Sequence, residues 1–361
     1  MLKIVRNWIH KYFSDEEAIV LFLLMAAGLA AILLLGPMLK PVLAAVVIAY
    51  TLQGLVSRLE QWRVPHLLSV ILVFILFLTV TLSFTLGLLP QVSRQTSALI
   101  QEMPAMLADL KVWISQLPQA HPQFISQNLV DELVRQLTST VTSMTQEIVS
   151  FSVTHILSGI PAFIGFLIYA ILVPILVFFF LKDRELIVSS LTALLPKQRT
   201  LMKQVWAEAN AQFANYIRGK VVEIIVVGAA TWVAFAVMGL NYAVLLSILV
   251  GLSVVIPYIG AAVVTVPVAL IGLFQFGWTP DFFWVLALHL IIQGLDGNVL
   301  VPLLFSEVVN LHPVVIIIAV LLFGGLWGLW GVFFAIPLAT LIKAVIRAWP
   351  VNPSGQAADS P

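Results

Sequence analysis

Uncharged apolar runs recur along this chain, and most are about as long as a bilayer-crossing helix, ~20 residues. Ala18 to Leu39 has no charge before Lys40, and Leu67 to Leu89 and Ile156 to Leu181 are equally clean. Val221 to Leu240 holds one acid, Glu223, and Phe282 to Phe305 is interrupted by Asp296-Gly297-Asn298. Pro41 to Val56 is shorter, 16 residues, and reads either as a tilted span or as half of a hairpin. Two further apolar stretches, 242–276 and 311–346, are broken by Pro and Gly near their middles. The pattern predicts an all-α polytopic membrane protein. It has six long spans plus two Gly/Pro-broken helical hairpins, about eight predicted spans.

The segments between the runs are patterned too. Leu2, Val5, Ile9 and Phe13 share a helical face among Lys3, Arg6 and Lys11, which predicts an interfacial N-terminal helix within 1–17. Ser14 and Glu17 form a capping box for the first span. That run is too long, and three acids stand too close before it, for a cleavable signal peptide. Segment 90–155 carries Val92, Thr96, Leu99, Met103, Met106, Leu110, Trp113 and Leu117 in alternating steps of 4 and 3. A second seam runs from Val130 to Ile148, and Pro118 and Pro122 punctuate the join. This predicts a helical hairpin whose seam packs on itself, on the membrane or on another subunit. In 197–218, Val205, Ala209, Phe213 and Ile217 share one face, which predicts an amphipathic helix in the headgroup layer.

Basic residues orient the spans. Segment 182–220 holds seven Lys and Arg, and the longer 90–155 holds three, Arg94, Lys111 and Arg135. Positive charge stays on the cytoplasmic side, so 182–220 and both termini belong inside and 90–155 outside.

Composition narrows the function classes. Of 361 residues, 61% are apolar and only 10% charged, where a soluble domain has about 25%. The net charge of +1 leaves no bulk field for nucleic acid. The chain lacks cysteine, so thiolate metal sites and cysteine nucleophiles are excluded. No GxxxxGK[ST], HExxH or GxSxG motif occurs, and the six histidines are scattered. The sequence therefore predicts no enzyme, no metal site and no cofactor.

Candidate chemistry lies in the C-terminal third. Residues 219–331 hold 13 of the 20 glycines, which permit close helix approach and irregular backbone. A carboxylate inside a span costs about 3 kcal/mol on insertion scales and so marks a site. Asp296 with Asn298 is the foremost candidate, and its flanking glycines would let the helix unwind there. Glu223 follows Arg218-Gly219-Lys220 by a turn, which leaves an interfacial charge pair open beside a pathway role. Glu307, Asn310 and His312 mark the other end of the 282–305 run.

This third also repeats. Asn241 and Asn310 each open an apolar run that turns at a tip, the first holding Pro257, Tyr258 and Gly260, the second Gly324, Gly325 and Gly328. Pro267 follows its Asn by 26 residues and Pro337 by 27. Segments 221–275 and 282–346 are candidate inverted-topology repeats, each a span plus a broken hairpin. Such repeats are typical of transporters, and the tips would line or gate a path.

Taken together, these motifs resemble the autoinducer-2 exporter family, in its PerM-like permease branch. They are Asn215-Tyr216-Ile217-Arg218-Gly219-Lys220, Ile256-Pro257-Tyr258-Ile259-Gly260, Asp296-Gly297-Asn298 with Pro302, Leu311-His312-Pro313, Phe323-Gly324-Gly325-Leu326-Trp327-Gly328 and Ala335-Ile336-Pro337-Leu338-Ala339. The resemblance implies a multi-pass protein of the bacterial inner membrane. Members are described as exporters of a furanone signal or as sodium/proton antiporters, so it leaves the cargo open. The implied organisation is an interfacial helix (1–17), N-terminal spans (18–89), an extracytoplasmic insert (90–155) and a further span (156–181). A cytoplasmic amphipathic helix (182–220), with Asn215, Tyr216, Arg218 and Gly219 as a cytoplasmic motif, a C-terminal core (221–346) and a tail (347–361) complete it. The expectation is a secondary transporter or permease without its own ATPase. Its partners are the lipid bilayer, a small-molecule or ion cargo and further copies of the chain, with no nucleic acid. The alternative is a membrane scaffold acting through the 90–155 insert.

Overall fold

The computed structural model describes residues 16–120 and 159–349 except 194, 196–199, 258 and 306–310, plus a few positions between 132 and 143. The predicted interfacial helix, the second seam of the insert, Tyr258, Glu307, Asn310 and the end of the tail lie outside the described residues.

The described chain is helical. Its helices are α1 (Glu16–Gln61), α2 (His66–Ser83), α3 (Leu89–Ala120), α4 (Gly159–Lys182), α5 (Arg184–Ala193), α6 (Thr200–Val237) and α7 (Ala243–Ser253). They continue as α8 (Ile259–Phe276), α9 (Pro280–Leu295), α10 (Val301–Phe305), α11 (Pro313–Trp327) and α12 (Leu329–Ala348). A π-helical turn, Phe84–Leu88, joins α2 to α3, and a second, Asp296–Leu300, joins α9 to α10. Among the described residues, seven helical stretches are long and apolar enough to cross a membrane. They are Met38–Gln61, His66–Met106, Gly165–Lys182, Thr200–Val237, Ile259–Phe276, Pro280–Phe305 and Leu329–Ala348.

Two boundaries differ from the sequence expectation. The runs 18–39 and 41–56 share one helical element, α1. A straight helix would hold Glu17 and Tyr50 about 50 Å apart. Yet Glu17 Oε1 accepts from Met202 N at 2.8 Å, and Tyr50 OH donates to Asn210 Oδ1 at 2.8 Å, both near the start of α6. α1 is therefore bent between them, and Pro41, which has no N–H to donate into the helix, lies in that interval. The amphipathic stretch 197–218 is likewise no separate helix, because α6 runs unbroken from Thr200 to Val237. Its apolar face, Val205, Ala209 and Ile217, is buried, while Trp206 beside it is exposed. Nothing between 200 and 237 breaks a helix: Gly219 and Gly228 stand singly and there is no proline.

α6 and α9 run antiparallel. Tyr216 of α6 lies 5.7 Å from the Phe305 ring at the end of α10, which continues α9, and Phe235, toward the other end of α6, lies 6.3 Å from the His289 ring of α9. Each long helix leads to a hairpin with unequal arms. α7 has 11 residues and α11 has 15, short of a full crossing, whereas α8 and α12 have 18 and 20. At both bends a glycine lets the second arm close on the first. A Cβ on Gly260 would overlap the Ser253 carbonyl, and one on Gly331 the Phe323 carbonyl. Thr265 Oγ1 of α8 lies 2.9 Å from His289 Nε2 and ties the first hairpin to α9.

Lipid tails give apolar side chains no reason to associate, so packing and small residues hold such a bundle. One buried cluster joins α1, α2 and α4 around Val56, Val70 and Val177. Another joins α6–α9 around Phe235, Leu246 and Val268, with Val92, Leu99 and Met106 of α3 packed against it. A third joins α6, α10, α11 and α12 around Tyr216, Phe305 and Ala335.

Candidate functional site

The last two clusters meet along α6. Gly219 presents no side chain, so the Phe305 ring lies directly on the helix there. Tyr216 sits 5.7 Å from that ring and 6.1 Å from the Phe333 ring of α12. One turn on, Lys220 and Glu223 share a helix face at a spacing that brings side chains together. Lys220 Nζ lies 2.6 Å from Glu223 Oε2. Both residues are inside, 4% and 1% exposed. Such a pair persists only with further partners, because desolvation takes back most of the Coulomb attraction. Lys220 Nζ accordingly also donates to Val254 O at 3.0 Å, where α7 ends, and lies 5.1 Å from the Phe305 ring centre.

Opposite stands the π-helical turn Asp296–Leu300. Pro302 lacks the N–H that would bond back a turn, and its ring crowds the carbonyl there. The wide turn keeps the backbone bonded, with Val301 N–H donating to Asp296 O. The expected unwinding at Asp296 does not occur; the widened turn takes its place. Such turns are frequent at functional sites.

Between α6, the α7–α8 bend, the π turn and α10 lies a cavity of about 630 Å³. Tyr216, Lys220 and Glu223 line it from α6, Val254, Ile256, Pro257 and Ala261 from the first hairpin, and Gln293, Asp296 and Phe305 from the second long segment. Ile316 and Ile336 of the second hairpin close it. Tyr216 OH, Gln293 Nε2 and Asp296 Oδ1 are buried without a hydrogen-bond partner. Lys220 and Asp296 line the same cavity from opposite helices. The lining thus combines one cation, two carboxylates and, besides the ion-paired Glu223 Oε2, three polar atoms without a hydrogen bond in an apolar shell. Among the described residues, no three His, Cys, Asp or Glu side chains are placed to hold a metal ion.

The structure brings Asp296, Glu223, Tyr216 and Pro257 together at this cavity. It sets the other sequence candidates apart. Asn298 is exposed and donates back to Gly294 O at 2.8 Å. His312 caps α11, its Nδ1 accepting from Val314 N at 3.3 Å. Arg218 Nε donates to Tyr50 O at 3.3 Å, and Asn215 is exposed. Gly219 seats Phe305, and Gly260 closes the first bend. Gly324 and Gly325 lie in the last turns of α11, and Gly328, at φ +61°, makes the second bend.

Sequence reasoning passed over Lys220, Gln293 and Phe305 as site residues. The three-residue step from Lys220 to Glu223 was the available signal for the first. Gln293 carried one too, a polar side chain within the 282–305 run.

A family model described as AI-2E family transporter matches residues 19–351. PerM of Escherichia coli (strain K12) is 46% identical over 350 residues, 97% of this chain and 98% of the relative. YueF of Bacillus subtilis (strain 168) is 26% identical over 311 residues, 84% and 82% of the two chains. AI-2 transport protein TqsA of Escherichia coli (strain K12) is 22% identical over 339 residues, 89% and 90% of the two. All three are named for transport, and of the three only TqsA has a cargo in its name.

Proposed function

The chain belongs to the AI-2E transporter family, and on that premise we propose a secondary transporter that binds a small solute or ion in the cavity between α6 and the π turn. Both termini stand on the cytoplasmic side of the bacterial inner membrane, and the protein works without an ATPase of its own. The observation that carries the reading is the convergence of Tyr216 OH, Gln293 Nε2 and Asp296 Oδ1, buried and unpartnered, on one cavity. A buried polar atom without a partner costs about 1–3 kcal/mol, and a bound polar ligand or water removes that cost. Asp296 meets the cargo or its coupling ion, and the bends at Gly260 and Gly328 move to open the path. Contact between Glu17 and Met202 supports the orientation, since it sets the start of α1 beside the start of α6.

The test is flux in proteoliposomes, with a solute panel and imposed sodium or proton gradients. AI-2, the cargo named for TqsA, is one member of that panel. Solute-dependent flux abolished by Asp296→Asn supports the reading, and absence of any flux across the panel sinks it. Against the scaffold alternative stands the use of the first insert seam inside the chain, where Val92, Leu99 and Met106 pack on the α6–α9 cluster.

A further inference from the structure

Resting on that transport reading, we propose that Lys220 is a built-in cation, its ammonium holding the position an alkali cation would occupy, so that the site operates without sodium. Transporter sites for alkali cations are assembled from carboxylates and from carbonyls at the ends of broken helices. Lys220 Nζ holds such a set: Glu223 Oε2 at 2.6 Å and Val254 O at 3.0 Å. Val254 caps the C-terminal end of α7, where the last carbonyls lack intrahelical donors and the helix dipole is negative. The face of Phe305 closes the position at 5.1 Å. Lys220 and Glu223 are 4% and 1% exposed, so these contacts lie inside the protein, on the wall of the cavity.

The ammonium is tethered to α6, and a free cation competes against that high effective concentration. It also links α6 directly to the α7–α8 bend, which makes Lys220 a positioning residue for the hairpin. The second carboxylate, Asp296, retains an oxygen with no hydrogen-bond partner and stays available to cargo. Removing the ammonium uncovers a carboxylate and a carbonyl spaced for a small cation, which turns the position into a sodium site.

Melting of the purified full chain in detergent tests this, with sodium chloride against choline chloride at equal ionic strength. Wild type melts at the same temperature in both. Lys220→Ala and Lys220→Met melt lower in choline and are raised by sodium in a concentration-dependent way. Lys220→Arg, which keeps the charge, gains no sodium response. Sodium-specific stabilisation of wild type overturns the proposal, as do neutral variants that fold but ignore sodium. If neither neutral variant survives purification, the wild-type comparison decides. None of these readouts uses flux, so a failure here leaves the transport reading standing, and absent flux removes that reading on its own evidence.

Discussion

Phe305 rests on Gly219 so closely that a Cβ added to residue 219 would lie 2.8 Å from Phe305 Cε1. This contact joins α6 to the end of α10 beside the buried Lys220. Gly219→Val forces the ring or the helix to move, at about 1–3 kcal/mol. A lower melting temperature in detergent is the expected result. Phe305→Leu in the same chain restores part of the loss, because the two positions share one space. Full additivity of the two substitutions would contradict the contact.

A second glycine contact is less forgiving. A Cβ on Gly251 would lie 2.9 Å from the Ile224 carbonyl oxygen, which is backbone and cannot rotate away. A Cβ on Gly228, across the same crossing, would meet Ser247 O at an ordinary 3.5 Å. Gly251→Ala should therefore destabilise by about 1–3 kcal/mol, and Gly228→Ala by about 0.5 kcal/mol or less. Melting of the two single variants, side by side, gives the order.

The helical runs were legible because lipid demands long uncharged helices, and the opposed directions of 221–240 and 282–305 followed from setting the C-terminus inside by its basic residues. The bend of α1 was half legible: Pro41 marked a break, but its packing on α6 depends on partners far along the chain. Glu223 was ambiguous for a physical reason. Along an unbroken 38-residue helix, sequence does not mark where headgroups give way to protein interior. Only the fold places Lys220 and Glu223 inside with Phe305 across them. Asn298 stood beside Asp296 in sequence, yet residues two apart on a helix do not share a face, and only Asp296 reaches the cavity.

The insert gives a pH-dependent prediction. Tyr242, in the turn before α7 and outside the helices long enough to span, donates to Glu102 Oε2 of α3 at 2.5 Å. Gln95 Oε1 of α3 accepts from Leu245 N at 2.8 Å and completes the docking. Burial, and then the hydrogen bond to Glu102, push the Tyr242 phenol from 10.0 up to about 12. A phenol raised in the fold stabilises while protonated. Its contribution is complete below pH 10 and disappears as pH rises toward about 12. Protease resistance of α3 should thus be level from pH 6 to 9 in wild type, on the order of the span in which neither state ionises. Tyr242→Phe should lower it evenly over that span. A marked pH slope in wild type would count against this hydrogen bond.

The chain has no cysteine, so single replacements report sidedness directly. Lys203 and Lys111 are both exposed. On the proposed orientation, read from the excess of basic residues in 182–220, the first lies inside and the second outside. Cysteine at 111 should react with an impermeant maleimide in intact cells, and cysteine at 203 only after lysis. Labelling of 203 in intact cells would reverse the orientation.

Asp296 and Asn298 separate the pathway reading from helix glue. Asp296 lines the cavity with Oδ1 unpartnered, whereas Asn298 spends its amide on Gly294 O of its own helix. Asp296→Asn keeps the shape and most hydrogen-bonding capacity and removes a charge from the cavity that Lys220 also lines. If Asp296 only glued helices together, the amide would serve equally well and flux would persist. If it binds cargo or coupling ion, the variant inserts and melts like wild type but loses flux tenfold or more, on the order of 1.4 kcal/mol or above in binding or barrier. Asn298→Ala removes one exposed bond and should leave flux within about twofold, the range of ordinary surface changes. Proteoliposome flux on both variants, with melting as the control for folding, distinguishes the cases. A well-folded Asp296→Asn protein with undiminished flux would remove this carboxylate from the pathway.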